Sequence, residues 1–323
     1  MSRKKADAKK FVSGFVSILG RPNAGKSTLL NALLGAKLAI VSDKPQTTRT
    51  LVQGVWTTDS AQVVFLDTPG IHEADSRFNR WMMESVAEAL KDRDLLLLVV
   101  DSTRHLSPAD ERTVELVKKA GAPALAVFNK VDALKPKSLL LPLIDQYRRW
   151  HEFEEYLPIS ALTGEGLDEL RAAILKRMPE GPAWFPADHL TDQPERFLAA
   201  EIIREKILHV TRQEVPHAVA VLVDEWKDEP RLLRILATIH VERPGQKAIV
   251  LGAQGARLKE AATAARLELE AIFGKKVYLE LFVKVSKDWR ENERFLRELD
   301  WRAMRGGEAP STGENPAASE NPE

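Results

Sequence analysis

Short apolar runs alternate with longer stretches of helical periodicity through the first half of the chain. Residues 15–19, 63–66, 95–100 and 124–128 each read as a strand buried on both faces. Between them, residues 27–34, 78–91 and 108–120 carry apolar side chains at helical spacing. Strands separated by helices predict a mainly parallel α/β sheet, and in such sheets ligands bind at the carboxyl ends of the strands. This pattern defines a first domain over residues 11–178.

The rhythm changes at Pro179, Gly181, Pro182, Pro186 and Pro194, which interrupt any regular element and mark residues 179–196 as a linker. A second domain, α+β, follows over 197–302. It opens with an amphipathic helix at 197–211 and continues with strands at 218–226 and 233–241. A helix at 255–273 has a candidate break near Ala262; a third strand at 277–285 and a closing helix at 286–299 complete it. Residues 1–10 form a basic extension. Residues 303–323, rich in Gly, Glu, Pro, Ser and Asn, read as disordered. No internal repeat is visible.

Composition narrows the chemistry. A length of 323 residues suits about two domains, each able to bury its own core. Cys 0 excludes disulfides, thiolate catalysis and cysteine zinc sites. The longest apolar run is far short of the roughly 20 residues that span a bilayer, and the N-terminus lacks the apolar core of a signal peptide. A cytosolic residence is therefore expected. Lys+Arg 47 balances Asp+Glu 47, so any nucleic-acid contact must come from a local patch. The seven histidines show no metal-ligand spacing.

Three ordered motifs carry the chemistry. Gly20-Arg21-Pro22-Asn23-Ala24-Gly25-Lys26-Ser27, with Thr28 behind it, fits the phosphate-loop pattern G-x-x-x-x-G-K-[ST] between a strand and a helix. Successive backbone N–H groups and the helix start would hold phosphates, Lys26 would reach the β- and γ-phosphates, and Ser27 would ligate Mg²⁺. Asp67-Thr68-Pro69-Gly70 supplies a carboxylate that can hold Mg²⁺ through a water and, at Gly70, an N–H for the γ-phosphate. Asn129-Lys130-Val131-Asp132 gives base choice: the Asp132 carboxylate accepts from the guanine N1–H and 2-amino group, a donor pair that adenine lacks. Asn129 would brace the loop and the Lys130 stem would cover the base. Ser160-Ala161-Leu162 fits the last base-contacting loop, with the Ala161 N–H toward guanine O6. Residues 46–49, Gln-Thr-Thr-Arg, lie where a mobile switch segment belongs, and a threonine there can complete the metal shell; Thr48 is favoured over Thr47. The catalytic set is thus Lys26, Thr48, Asp67 and Gly70.

With these motifs and the second domain behind them, the chain resembles the Era-type family of bacterial GTPases over residues from about Phe11 to Trp301. The resemblance implies a Ras-like P-loop GTPase domain joined to a type II KH domain. It also implies binding near the 3′ end of 16S rRNA during 30S subunit maturation, and loose association with the inner face of the membrane. Ile71 stands where Ras-like enzymes keep a water-orienting glutamine, and no arginine finger is obvious beyond Arg49. Asn23 is similar to the asparagine that helps hold K⁺ in potassium-stimulated relatives.

In the second domain, Ile249 precedes Gly252-Ala253-Gln254-Gly255, a GxxG loop of the kind that clamps backbone nucleotides. The family usually has a basic residue inside that loop. Here attraction must come from neighbours, Arg243, Lys247, Arg257, Lys259, Lys275, Lys276, Lys284 and Lys287, with Lys259 and the loop glycines ahead of the rest. Trp226, Phe273, Tyr278, Phe282 and Trp289 suit core packing better than base stacking. Three other readings stay open: a GTPase scaffold for an RNA-modifying enzyme, a non-hydrolysing RNA-binding module, and a P-loop ATPase.

Overall fold

The computed structural model describes residues 10–44, 46–71, 76–211 and 215–304. Apart from Lys10, the basic extension lies outside the described residues, as does the tail beyond 304.

The first domain runs β1 (Val12–Gly20), α1 (Lys26–Leu34), β2 (Val52–Thr58), β3 (Ala61–Asp67), α2 (Arg77–Ala89), β4 (Leu95–Asp101), α3 (Pro108–Ala120), β5 (Ala124–Asn129), α4 (Leu140–Trp150), β6 (Glu155–Pro158) and α5 (Leu167–Leu175). Its sheet has the order β2-β3-β1-β4-β5-β6, parallel except for β2, which pairs antiparallel with β3. The apolar runs are strands because both faces are covered. On one face Leu29, Leu33 and Ile174 pack on Val16, Phe65 and Leu97; on the other Val86, Val114 and Tyr147 pack on Leu19, Leu98 and Phe128. Gly20, Asp67, Asp101 and Asn129 end their strands on one edge, with Asp101 registered opposite Asn129. Ser107 and Asp110 form a capping box at the start of α3, which fixes its position beside that edge.

The second domain runs α6 (Glu195–Val210), α7 (Val215–Ala218), β7 (Ala220–Asp228), β8 (Leu232–Val241), α8 (Pro244–Leu251), α9 (Ala256–Phe273), β9 (Lys276–Val285), α10 (Glu293–Glu298) and α11 (Trp301–Met304). Its sheet has the order β7-β8-β9, with β8 antiparallel to β7 and parallel to β9. Among the described residues no helix is long and apolar enough to cross a membrane.

Four expectations need correction. Helix α9 is unbroken at Ala262, because Ala261, Ala265 and Leu269 recur on one buried face and hold it against the sheet. The closing helix is not continuous. Asp288 adopts a left-handed conformation so that Trp289 can enter the core, where its indole donates to the Ala218 carbonyl; Asn292 then caps a new helix. Helix α6 is not simply amphipathic: its polar residues Arg204 and Glu205 are buried too, because the first domain covers them. Tyr278 and Phe282 are exposed, since edge strand β9 turns alternate residues away from the core.

Residues 179–196 are not a free tether. Val55 N–H donates to Leu190, Thr191 donates to the Gln53 carbonyl, and the Gln62 amide binds the backbone of Trp184 and Phe185. The connection is strapped along β2 and β3.

Candidate functional site

Backbone conformation builds the phosphate loop before any side chain acts. Gly25 has φ 93, and a Cβ there would fall 2.2 Å from Asn129 Nδ2. Gly20 has φ 151 and faces the Val99 carbonyl at 2.3 Å from its hypothetical Cβ. Any side chain at either position would push the loop off the sheet. Helix α1 starts at Lys26 without a side-chain cap, so its first N–H groups are left for an anion. Gly70 lies against the ring of Pro22, where a Cβ would come within 2.7 Å, so the loop and the Asp67–Gly70 turn touch directly.

Lys26 and Asp67 form the buried electrostatic pair of the site. Burial lowers the Lys26 ammonium to about 8, against the pull of Asp67. Burial raises the Asp67 carboxyl to about 6, against Lys26, Ser27 and Thr48. The Lys26 ammonium is parked on the carbonyls of Gly20 and Arg21 at 3.2 and 3.1 Å.

Three oxygens converge beside it. Ser27 Oγ donates to Asp67 Oδ2 at 2.6 Å and lies 2.7 Å from Thr48 Oγ1, which is 3.4 Å from the same carboxylate. Asp67 Oδ1 is buried without a partner. An orphaned carboxylate oxygen among hydroxyls is a hard-oxygen set that fits Mg²⁺. Thr47, the other candidate, instead donates to the Lys44 carbonyl. Because a metal must displace the Asp67 proton, Mg²⁺ affinity of the GDP-bound protein is expected to be flat above about pH 7 and to fall through about pH 6, approaching tenfold per unit. Magnesium titration of a fluorescent GDP analogue measures this, and Asp67→Asn removes the slope. The stability of the metal-free protein runs the opposite way with pH: the raised carboxyl stabilises the fold below pH 3.8, and that contribution is lost as pH rises through about 6.

The base loop is tied to the phosphate loop by Asn129. Its Nδ2 donates to the Ala24 carbonyl at 2.9 Å, while its Oδ1 accepts from the N–H groups of Ala161 and Lys130 at 2.9 and 2.8 Å. One buried amide therefore positions three segments. Lys130, with φ 67, donates to the Asn23 carbonyl and to Asp101, both at 2.7 Å. Burial would raise the Asp101 carboxyl, but Lys130 and Thr103 hold it below its ordinary range. Asp132 and Leu162 are exposed, and Ser160 is buried with its hydroxyl accepting from Thr163 N–H.

Sequence motifs did not reveal Asp101 or Asp110 as supports. Asp110 receives Arg21 at 2.7 Å and the Tyr147 hydroxyl at 3.2 Å, fixing the loop to α3. Each partner lies outside the local window of a motif; only the strand-terminal position of Asp101 was a signal.

Arg49 is not held as a finger over the phosphates. It is 5% exposed and turned into the second domain, donating to the carbonyls of Val219 at 2.6 Å and Pro216 at 3.0 Å. Its guanidinium sits 5.3 Å from the Phe78 ring and 5.6 Å from that of Trp289. Neighbouring residues do the same. The Thr47 carbonyl accepts from Arg204, the Gln46 amide meets His217 at 3.2 Å, and Glu205 receives Val41 N–H and Lys37. Asn23 Nδ2 reaches the Asp43 carbonyl at 2.7 Å. The segment that supplies Thr48 is thus bonded to the second domain. Ile71 packs beside the Leu19–Val86 cluster.

In the second domain the GxxG loop joins α8 to α9. Gly252 has φ 69, and a Cβ there would come within 2.8 Å of the Arg257 stem. Ala253 and Gln254 are exposed, and Gln254 is also left-handed. Arg257 donates to the carbonyl of Ile249 at 3.0 Å, closing the end of α8, and Lys259 is exposed on α9. Lys275 and Lys276 are engaged by Asp228 and Glu270.

A nucleotide-binding P-loop domain with a guanine-type base loop, followed by a KH-type domain, is the class of protein this fold and site define. Residues 15–130 match the family described as 50S ribosome-binding GTPase, and residues 214–290 match the KH domain family. The chain is 51% identical to GTPase Era of Syntrophus aciditrophicus over 90% of its length and 95% of the relative. It is 50% identical to GTPase Era of Geobacter metallireducens over 90% and 98%. A crystal structure of Era in complex with MgGDPNP and nucleotides 1506–1542 of 16S ribosomal RNA superposes with a TM-score of 0.87 at 45% identity, covering 90% of this chain and 99% of that one. A single-residue variant of Aquifex aeolicus Era bound to GDP·AlF4⁻ gives the same TM-score of 0.87 and the same coverage. The chain belongs to the Era family of GTPases.

Proposed function

We propose that the protein is a GTP-hydrolysing switch that binds 16S rRNA near its 3′ end and assists 30S subunit assembly, with nucleotide state read through the segment before β2. One observation carries the coupling: Thr48 stands at the metal-type oxygen cluster while Arg49, the next residue, is anchored in the second domain. A change at the γ-phosphate cannot move the first without stressing the second.

In this reading Gly20 through Thr28 cradle the phosphates, and Lys26 leaves its two carbonyls to meet the β- and γ-oxygens. Ser27, Thr48 and Asp67 hold Mg²⁺, which when bound neutralises developing phosphate charge. Gly70 N–H senses the γ-phosphate. Asn129, Lys130, Asp132, Ser160, Ala161 and Leu162 form the base pocket. Neither Ile71 nor the buried Arg49 supplies the polar help to water that a glutamine or finger gives, so turnover is slow in isolation. K⁺ beside Asn23 supplies the missing positive charge. Hydrolysis is expected to be faster in KCl than in NaCl at equal ionic strength, with the difference lost in Asn23→Ala; equal rates in phosphate-release assays would remove K⁺ from the mechanism.

RNA is clamped at Gly252, Ala253, Gln254 and Gly255, with Ile249, Arg257 and Lys259 beside them. Gly252→Asp forces a side chain into the Arg257 stem at positive φ and places a negative charge at the clamp. Affinity for a 16S 3′-end RNA, read by fluorescence anisotropy, is expected to fall by about tenfold or more. Unchanged affinity would place the RNA elsewhere. The working compartment is the cytoplasm, and flotation with anionic vesicles tests the peripheral membrane contact expected of the family.

A further inference from the structure

A cavity of about 560 Å³ opens between the domains, beside the segment that carries Thr48 and away from the GxxG turn. That volume lies within the roughly 300–1,000 Å³ of small-molecule sites. Its walls include Phe197 and Ala200 of α6, Val221 of β7 and Leu299 after α10. Five arginines line it (49, 196, 204, 294 and 297) against three carboxylates.

Two of the carboxylates answer cavity arginines: Glu201 pairs with Arg204, and Glu298 lies 3.5 Å from Arg294. Glu201 takes Arg204 Nε and Nη2 at 2.7 and 2.6 Å, and Asp224 takes the Thr238 hydroxyl at 2.7 Å. Arg49 has carbonyl partners and aromatic neighbours, and no carboxylate bonds its buried charge. Arg49 Nε and Arg204 Nη1 are buried with no hydrogen-bond partner in the protein. Native interiors rarely leave such donors unmatched, and low-dielectric walls focus an uncompensated charge into the adjoining space. Burial and the neighbouring Arg204 charge also hold the Arg49 guanidinium below its ordinary value. At the rim Arg196, Arg294 and Arg297 are exposed; Arg294 and Arg297 hold solvent-exposed ion pairs with Glu298 and Glu293, at 3.5 and 2.5 Å, which an incoming anion would share.

We infer that this cavity is a binding site for a small anionic molecule with an apolar or aromatic body, of the chemistry of an aryl phosphate. The charged group lies toward the arginines and the body lies along Phe197, Ala200 and Leu299. Since Arg49 and Arg204 both hold the segment carrying Thr48, the ligand contacts the elements that link the domains.

The test is isothermal titration of the full chain, saturated with GDP and Mg²⁺, with phenyl phosphate. Benzyl alcohol serves as the neutral control. Saturable 1:1 heat is expected, with none from benzyl alcohol. Ala200→Phe, which fills the cavity from its wall, abolishes the heat. Arg294→Glu/Arg297→Glu, which reverses two exposed rim charges and breaks their surface ion pairs on α10, weakens binding by about tenfold, as the loss of charge-assisted contacts requires. Absence of saturable heat in the wild-type chain overturns the site. Heat unchanged in Ala200→Phe overturns its location, and heat unchanged in the rim variant overturns the anionic ligand class. The rim variant keeps the test decisive should Ala200→Phe fail to fold.

Discussion

Asp132→Asn is expected to turn a guanine-nucleotide protein into one that prefers xanthine nucleotides. Asp132 is exposed, so its substitution leaves the core and the loop supports intact. Those supports belong to Asn129, Lys130 and Asp101, whose bonds do not involve residue 132. In the wild-type chain a carboxylate accepts two guanine N–H donors. Asparagine presents one acceptor and one donor, so one guanine donor loses its partner and meets another donor. Losing a charge-assisted contact and stranding a donor costs about 3–4 kcal/mol, a weakening of GTP on the order of 10²–10³-fold. Xanthine has a 2-oxo group that accepts from the new amide, so its nucleotides gain while guanine nucleotides lose. Competition between labelled GDP and XDP reads the exchange, with circular dichroism confirming an unchanged fold. Retained guanine preference would move base recognition away from Asp132.

Arg49→Ala is expected to loosen the two domains from each other. The side chain spans the interface, and its removal strands the carbonyls of Val219 and Pro216 and empties the space beside the packed rings of Phe78 and Trp289. Two effects oppose. Deletion recovers the desolvation cost of a guanidinium that has no carboxylate partner; it also forfeits hydrogen bonds and cation–π contacts and leaves acceptors unmet. The second effect is larger, because several groups lose partners for each charge relieved; the net loss is about 2 kcal/mol of domain docking. Calorimetry should show one unfolding transition in the wild type separating into two in the variant. Arg49→Lys keeps the charge but cannot reach two carbonyls in a fixed fork, so it should rescue only part of the effect. A single unshifted transition in Arg49→Ala would mean that the interface is held without it.

The parts of this molecule that were legible in its sequence are those whose cause is local. Strand β4 announces itself because Leu95 to Val100 are buried on both faces, and the phosphate loop because its spacing is contiguous. The interface could not be read, because its partners lie far apart in the chain: Arg49 with Val219, Thr47 with Arg204, Leu51 with Trp301. The same separation explains the errors. Trp289 breaks the closing helix to reach Ala218, and α6 buries its polar face against the first domain, so tertiary contact overrode periodicity in both. Tyr278 and Phe282 looked like core from their residue type, yet an edge strand has two faces and these residues occupy the outer one.

The most direct test of coupling through residues 46–51 is the affinity of the wild-type chain for a fluorescent 16S 3′-end RNA, measured by anisotropy with GDP, with a non-hydrolysable GTP analogue and without nucleotide. A shared segment predicts that the GDP and GTP-analogue affinities differ by about 5–150-fold, the range of ordinary coupling energies. Identical RNA affinity in all three states would contradict it.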